Sequence, residues 1–416
     1  MLGILSYFGN TGQSISKAIG VILFCGYILF SYLGLESLVV PAGLFRIFMY
    51  AFLSYTALYS FLINKVQFEY SKLLLWQFLF LILSFVTFLY SPEPLSFSGS
   101  QFYTLIVNFV FILCLTQYRL NFVDIKLIAW IYVLSSVILL IYIIKSGFFL
   151  ALTTRLDFGE ESLLNVNSFS NMLMVSVIFA FWLLMYGDNN LLKKIILIAA
   201  TCLIYYGMLM AGGRKFVIVP ILFLYIMMLF QRNRKGRKRI IINTLFILII
   251  LSSLYCIIMY VPIVYNTIGV RMEGLLALLT GSNEVDASAS ARSSYIAVGL
   301  NRWIESPLWG YGINSFRYYN KIVTGDFVYS HNNYVELLYN YGLVGFILYY
   351  SFYYKMIKYA WINRRRIPQS SVAFVLAIFP AFLVYEIGAI NYTLLSSFVL
   401  FYIAYTMIYR HKMNYK

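Results

Sequence analysis

The chain is poor in charge, in cysteine and above all in histidine. Charged residues make up 11% of its 416 positions and hydrophobic residues 62%, which leaves too little polar surface for a soluble globular protein. All four cysteines lie within apolar stretches and lack paired metal-ligand spacing, so the sequence supports neither a disulfide framework nor a zinc site. Of only two histidines, one, His331, stands at the entrance to an apolar segment. The composition indicates an integral membrane protein.

Apolar runs of the length that crosses a bilayer recur almost from end to end. A helix of about 20 apolar residues spans roughly 30 Å of hydrocarbon. We therefore predict an all-α integral membrane protein in which residues 1–416 form a single polytopic domain with about twelve transmembrane helices. The predicted spans are 17–35, 44–63, 72–90, 100–118, 122–145, 166–187, 192–210, 214–231, 239–260, 333–359, 370–387 and 391–410. No cleavage site follows the first span, so we expect it to be retained rather than removed as a signal peptide.

Basic residues outnumber acidic residues by 31 to 15, but their positions argue against a nucleic-acid partner. If the N-terminus lies in the cytoplasm, roughly two thirds of the lysines and arginines fall in cytoplasmic segments, the densest run being "RNRKGRKR". This bias predicts a multi-pass protein of the cytoplasmic (inner) membrane with both termini inside. The basic runs then set the topology and contact anionic lipid headgroups.

One connection is much longer than the others. Residues 261–332, between the ninth and tenth predicted helices, form a large extracytoplasmic loop. Within it, "ARSSYIAVGLNRWIESP" predicts an amphipathic helix that Ser288 or Ser290 caps and that ends before Pro307. We expect this helix to rest on the outer membrane surface or on the helix bundle. Its predicted apolar stripe consists of Ile296, Leu300 and Trp303.

Several cationic residues are predicted to converge on the outer face. In "AGGRK", Arg214 and Lys215 open a span that runs from outside to inside, and His331 opens another. Helix N-termini carry unsatisfied N–H groups and a partial positive charge that attract anions. Together with Arg292 from the long loop, these residues predict a phosphate-binding cluster. Two arginines suit a diphosphate, and a diphosphate bound at a membrane implies a polyprenyl carrier.

Each of these residues also has a simpler interpretation. The two cations of "AGGRK" are equally explained as interfacial side chains that extend to the membrane surface. Arg292 is also explained as a solvated charge on the loop helix. His331 is also explained as part of a helix cap, for which Ser330 and Asn332 are available.

Three asparagines stand at the mouth of the sixth predicted span, an unusual place for lipid-facing residues: Asn165, Asn167 and Asn171. They suit the binding of sugar hydroxyls, and they suit hydrogen bonds between helices equally well. Three acidic residues of the preceding connection are further candidates for positioning sugars: Asp157, Glu160 and Glu161.

The order of these motifs resembles the O-antigen polymerase and O-antigen ligase superfamily. An arginine-led helix precedes a W-x-x-x-P-x-x-G-x-G turn, and "HNNY" enters a helix that carries G-x-x-G. "AGGRK" is similar to the family's small-residue–arginine motif, and "NVNSFSNM" to its asparagine motif. The resemblance covers residues 160–350. The matching residues are Arg292, Trp303, Pro307, Gly310, Gly312, His331, Asn332, Tyr334, Gly342 and Gly345.

The resemblance implies a GT-C-like membrane glycosyltransferase that works at the outer face without a metal or other cofactor. The donor it implies is an oligosaccharide on undecaprenyl diphosphate. Arg214 and Arg292 then neutralise the leaving diphosphate, and His331 orients or deprotonates the acceptor hydroxyl as general base. The expected substrate-binding residues are Lys215, Asn167, Asn332, Tyr334, Glu336 and Arg302.

Two positions depart from the family pattern. Asn340 stands where members often carry an acidic residue, two places before the first glycine of G-x-x-G, and Glu336, one helical turn earlier, is the candidate substitute. Gly213 replaces the serine that often precedes the arginine. These departures concern the catalytic acid and not the fold.

The leading functional expectation is a Wzy-type polymerase of O-antigen or capsule repeat units. The close alternative is a ligase that transfers the same glycan to the lipid A core of lipopolysaccharide. A lipid-oligosaccharide flippase or transporter is weaker, because the predicted spans are nearly free of charge at their centres. The expected partners are the lipid-linked donor and acceptor, the bilayer, and other polysaccharide assembly and export proteins.

Overall fold

The computed structural model describes residues 15–34, 40–41, 43–60, 71–92, 100–146, 166–187, 190–230, 237–274 and 287–409. This part of the chain contains fifteen α-helices and a π-helical turn at Tyr265–Gly269, and it contains no strand. Helix capping follows the sequence at several starts. Ser71 and Ser100 accept hydrogen bonds from backbone N–H groups of their helices, and Asn121 forms a capping box with Asp124. The predicted all-α fold is therefore confirmed for the described residues.

The helices are labelled in chain order. They are α1 (Ile15–Leu33), α2 (Gly43–Leu58), α3 (Lys72–Phe88), α4 (Gln101–Gln117), α5 (Phe122–Lys145), α6 (Val166–Tyr186), α7 (Leu191–Met210), α8 (Arg214–Leu229), α9 (Arg237–Tyr260), α10 (Pro262–Val264), α11 (Ala287–Trp303), α12 (Ser315–Thr324), α13 (Asn333–Ile362), α14 (Gln369–Tyr385) and α15 (Leu395–Tyr409). A helix lies at each of the twelve segments predicted to span the membrane.

Five helices are long and apolar enough to cross a membrane by length and composition: α1, α5, α6, α7 and residues Ile240–Tyr260 of α9. Five others are apolar but shorter, namely α2, α3, α4, α14 and α15. The number of twelve crossings, the single-domain organisation and the GT-C-like arrangement therefore stay predictions.

Two sets of helix contacts position the candidate site. Helix α8 packs along α14 and against α6, while α13 packs against α3, α11 and α14. Most buried apolar side chains form one continuous core. A smaller aromatic cluster of Tyr295, Phe316 and Tyr339 joins α11, α12 and α13.

The amphipathic helix predicted in the long loop is present as α11, but it packs through a different face. Both serines considered as caps are already helical. Leu300 of the predicted stripe is exposed, whereas Tyr295 and Gly299 are buried. A Cβ at Gly299 would lie 2.5 Å from Cγ1 of Val335, so the glycine allows α11 and α13 to approach closely. A search for apolar side chains at helical spacing misses a packing face built on glycine.

The part of the loop that follows α11 is held on α13 by a clasp, which comprises residues 307–312 and 339–344. Its four hydrogen bonds run from the N–H groups of Tyr311, Gly312, Leu343 and Val344 to the carbonyls of Tyr339, Asn340, Pro307 and Leu308, over 2.9, 2.9, 2.8 and 3.2 Å respectively. Helix α13 opens at Gly342, where φ is +62° and ψ −166°. A Cβ there would lie 2.2 Å from the carbonyl oxygen of Leu308, so the clasp requires glycine.

Candidate active site

A cavity of about 410 Å³ lies where residues of α6, α8, α11 and α14 meet the segment after α10. Four cationic side chains line it together with Asn167, and they are Arg214, Lys215, Arg271 and Arg292. No acidic side chain is among the described residues that line it. We call this site the cation cavity. Its lining favours a ligand with more than one negative charge.

Backbone carbonyls hold three of these cations in place. Arg271 donates a hydrogen bond to the carbonyl of Gly212 over 3.0 Å, and Arg214 donates to the carbonyl of Arg271. Lys215 donates to the carbonyl of Gly388, just beyond α14. Arg271 was not predicted as a site residue. Its sequence signal is a basic residue in a connection that the charge bias assigns to the outside, where basic residues are less frequent.

His331 lies in a left-handed turn directly before α13. Its φ of +57° is uncommon for a residue other than glycine. Two neighbours hold the turn: the N–H of Ser330 donates to the Glu336 carboxylate over 2.9 Å, and the side chain of Asn332 accepts from two N–H groups of the first turn of α13 at 3.0 and 3.1 Å. Of the two predicted caps, Asn332 therefore caps the helix.

Aromatic rings and positive charges surround the imidazole of His331. Its ring lies 4.4 Å from that of Tyr329 and 6.4 Å from that of Tyr295, between ring centres. Burial, followed by the positive charges of Arg292, Lys215 and Arg317, lowers the pKa of His331 from 6.5 to about 3. In the free protein the imidazole beside the cation cavity is therefore unprotonated at neutral pH, as a general base must be, and the negative charge of a bound anion would raise its pKa and strengthen it as a base.

Arg317 of α12 lies near His331 and, like Arg271, was not predicted as a site residue. Its guanidinium carbon lies 5.3 Å from the ring centre of Tyr329. Its Nε is buried and has no hydrogen-bond partner in the structure. A buried N–H group without an acceptor is costly, so an oxygen ligand would bind favourably here. Arg292 and Arg317 thus bring positive charge to His331 from two different helices.

The residues predicted to bind substrate from α13 make contacts within the protein. Glu336 is fully buried, and Asn340 donates to its carboxylate over 3.3 Å. The side-chain oxygen of Asn340 accepts from the N–H of Phe316 over 3.1 Å. The hydroxyl of Tyr334 donates to the carbonyl of Leu383 over 2.7 Å. These bonds hold the start of α13 against its neighbours, and direct substrate contacts stay predictions.

Comparison with known families places this site within a recognised region of sequence. Residues 198–350 match the family model described as O-antigen ligase. The resemblance to the O-antigen polymerase and ligase superfamily is thereby confirmed. The match supports a function of the polymerase or ligase type without distinguishing the two. Curated proteins gave no match.

The matched region, residues 198–350, contains His331 and all four cations of the cation cavity. The cavity residues outside it are Asn167, Val384, Ile387 and Gly388. Within the described residues, no group of three or more His, Cys, Asp or Glu side chains comes together as a metal site would require.

Arg302 lies within the matched region but does not line the cation cavity. Its guanidinium lies over the rings of Tyr311 and Tyr319, at 5.1 and 5.3 Å from their centres, and forms an ion pair with Glu305. These contacts fasten the end of α11 to the residues that follow it. The proposed contact of Arg302 with substrate is therefore separate from the cluster around His331.

The asparagines at the mouth of α6 have different surroundings. Asn167 lines the cation cavity, where it is available to a ligand. Asn171 donates to the hydroxyl of Ser396 on α15 over 3.3 Å, as the interhelical interpretation predicts. Asn165 and the acidic residues Asp157, Glu160 and Glu161 lie outside the described residues.

Proposed function

We propose that the protein is a polymerase of lipid-linked polysaccharide repeat units, of the O-antigen or capsule type. In this proposal it transfers a glycan from undecaprenyl diphosphate to the non-reducing end of another lipid-linked unit. The observation that carries the proposal is the cation cavity beside a neutral His331, in a region that matches the O-antigen ligase family.

The proposed reaction exchanges one bond at the anomeric carbon of the donor sugar. The bond to the diphosphate oxygen breaks as the acceptor hydroxyl oxygen bonds to that carbon. His331 accepts the hydroxyl proton, and undecaprenyl diphosphate leaves with the released electron pair. Arg214 and Arg292 stabilise the charge that grows on the diphosphate. Electrostatic stabilisation of this kind is usually the largest single contribution to catalysis. Lys215 and Arg271 add to the same field.

We propose that this reaction needs no metal ion. A divalent cation would otherwise supply the positive charge that stabilises the leaving group. Four cations around one cavity offer that charge from the protein itself. Transfer measured in excess EDTA should therefore equal transfer measured in magnesium.

A ligase is the second candidate, and the description of the matching family favours it. It uses the same donor and leaving group, with lipid A core in place of the lipid-linked acceptor. We place the polymerase first because polymerases form the more diverse group of the superfamily.

The cation cavity is proposed to lie at the outer face of the cytoplasmic membrane, with both termini in the cytoplasm. This orientation rests on the distribution of lysine and arginine among the connections. The proposed partners are lipid-linked oligosaccharides, the bilayer and other polysaccharide assembly and export proteins.

The deciding experiment uses purified protein in nanodiscs with a lipid-diphosphate-linked repeat unit as sole substrate and EDTA present. A ladder of longer products that forms at least about 100-fold more slowly in each of Arg214→Gln, Arg292→Gln and His331→Ala supports the polymerase. Transfer that appears only after lipid A core is added identifies a ligase. Transfer under neither condition contradicts both and favours a transporter.

A further inference from the structure

A second cavity lies at the opposite end of α13 from His331. It has a volume of about 550 Å³, within the range of about 300 to 1,000 Å³ that is common for ligand sites. Three lysines and a set of aromatic and aliphatic side chains line it. We call it the lysine groove. Its described lining is Lys72, Leu75, Trp76, Leu79, Leu348, Phe352, Lys355, Met356, Lys358, Tyr359, Ile362, Asn363, Tyr405 and Tyr409.

The groove is formed by one face from each of three helices. On α13 its residues recur at steps of three and four from Leu348 to Asn363, and on α3 from Lys72 to Leu79. Helix α15 contributes Tyr405 and Tyr409, one turn apart. Three helices thus leave a continuous cleft between them.

The floor of the groove is apolar and well packed. Trp76 and Phe352 stack with their ring centres 4.6 Å apart, and each is only 4% exposed. Leu75 and Leu79 of the wall are 42% and 45% exposed, so the groove is open along the apolar side of α3. Such a surface suits a hydrocarbon chain lying along the helices.

One end of the groove is positively charged. Lys72, Lys355 and Lys358 are exposed there, and no acidic side chain is among the described residues of the lining. Lys72 is also the first residue of α3, whose positive dipole end adds to the lysine charges. The groove therefore pairs an anion-attracting end with an apolar body.

We propose that the lysine groove binds one acidic phospholipid, whose phosphate contacts the three lysines and whose acyl chain lies against Trp76 and Phe352. The net charge of the lipid headgroup decides which class of phospholipid binds more tightly. A zwitterionic headgroup carries its own positive charge and gains less from three lysines than a headgroup with net negative charge does. The charge bias of the sequence assigns this end of α13 to the cytoplasm, where the leaflet surface is anionic. The site is thus separate from the donor site at the other end of the same helix.

The test measures contact between brominated acyl chains and tryptophan, because bromine quenches tryptophan fluorescence at short range. Full-length protein in neutral detergent is titrated with brominated phosphatidylglycerol or brominated phosphatidylcholine. The anionic lipid should reach half-quenching at a concentration at least about tenfold lower, since each lysine near a phosphate contributes roughly a fewfold in affinity. Trp76→Phe should remove the part of the quenching that prefers the anionic lipid.

The decisive variant is Lys72→Gln/Lys355→Gln/Lys358→Gln, which should remove the preference. Its matched control replaces Arg364, Arg365 and Arg366 by glutamine, which deletes the same charge from the neighbouring turn outside the lining and should keep it. Equal losses in the two variants would overturn the proposal, because the attraction would then be a property of the whole basic surface. In a competition experiment, the bound brominated lipid is displaced by unlabelled lipids. Stronger displacement by undecaprenyl phosphate than by phosphatidylglycerol would also overturn the proposal. Gel filtration and helical circular dichroism establish that both variants are folded.

Discussion

The cation cavity and the clasp are both built around the loop that leads into α13, but they depend on opposite kinds of residue. The cavity collects charged side chains from separate helices around an open space. The clasp joins two backbone segments so closely that side chains are excluded at its centre, at Gly310 and Gly342. Residues of one family signature therefore divide into those that bring charge to a ligand and those that hold the loop in shape.

Two arginines of α11 show the same division. Arg292 lines the cation cavity and lowers the pKa of His331. Arg302, ten residues further along the helix, lies over two tyrosine rings beside the clasp and pairs with Glu305. A basic residue on an outer loop helix can thus serve either role, and its neighbours decide which.

The largest effect is expected from His331, the proposed general base beside the cation cavity. His331→Ala should lower the transfer rate by about 10² to 10⁴-fold, because general-base catalysis typically contributes that much. The rate is measured from the product ladder at saturating substrate, alongside the thermal unfolding midpoint. His411→Ala, which removes the other histidine, is the control and should keep the rate. A His331→Ala protein that is folded and fully active would remove the histidine from the mechanism.

The next largest effect is expected from Arg292, and it should distinguish the role of Arg292 from that of Arg302. Arg292→Gln is expected to lower transfer by about 10² to 10³-fold at unchanged stability, since it removes a charge that stabilises the leaving group. Arg302→Gln should change the rate only a few-fold and lower the thermal unfolding midpoint slightly, because it removes the cation–π contacts with Tyr311 and Tyr319 and the ion pair with Glu305. Both quantities are measured for both variants. Equal losses of rate at equal stability would instead support a direct contact between Arg302 and the substrate.

A smaller change, in stability rather than chemistry, should follow from Gly342→Ala. The φ of +62° is strained for alanine, and the new methyl group would displace the carbonyl of Leu308 and weaken the clasp. Strain of about 1 to 3 kcal/mol plus weakened hydrogen bonds of about 1 kcal/mol each predict a lowered unfolding midpoint.

Gly325→Ala is the matched control for the clasp, because Gly325 has a φ of +86° but open space around its Cβ position. It carries the conformational penalty alone. Thermal unfolding in nanodiscs should rank wild type, Gly325→Ala and Gly342→Ala in order of falling stability. Equal destabilisation of the two variants would mean that close approach at the clasp contributes nothing.

The sequence predicted the helices well because apolar runs of this length permit few alternatives. It also predicted that Arg214, Lys215 and Arg292 would meet, since helix starts and a loop helix on one side of a membrane share a surface. It could not find Arg271, whose place depends on a hydrogen bond to the carbonyl of Gly212 across the fold. Arg317 was missed for a similar reason, because its place near His331 depends on its contact with the ring of Tyr329.

The face of α11 shows a second limit of sequence reasoning. Apolar periodicity selects Leu300, which is exposed, and overlooks Gly299, whose missing side chain allows the helix to pack. The break in α13 at Gly342 was likewise hidden, because a glycine inside an apolar run is compatible with a continuous helix. Close backbone approach is determined by the partner segment, which the local sequence does not contain.

The smallest effect is expected in the pH dependence of the wild-type rate. Because burial and neighbouring cations hold the pKa of His331 at about 3, the imidazole is neutral in the free enzyme throughout the range from pH 5 to 7.5. Protonation would occur only as the pH falls towards 3, so kcat/KM should lack an acidic limb near 6.5.

Arg292→Gln removes one cause of the lowered pKa of His331, so the acidic limb of its residual activity should move to higher pH. In the wild type, a bound diphosphate opposes the same cations, so the acidic limb of kcat should lie at higher pH than that of kcat/KM. An acidic limb of wild-type kcat/KM near 6.5 would show instead that His331 is solvated and outside the field of the cation cavity.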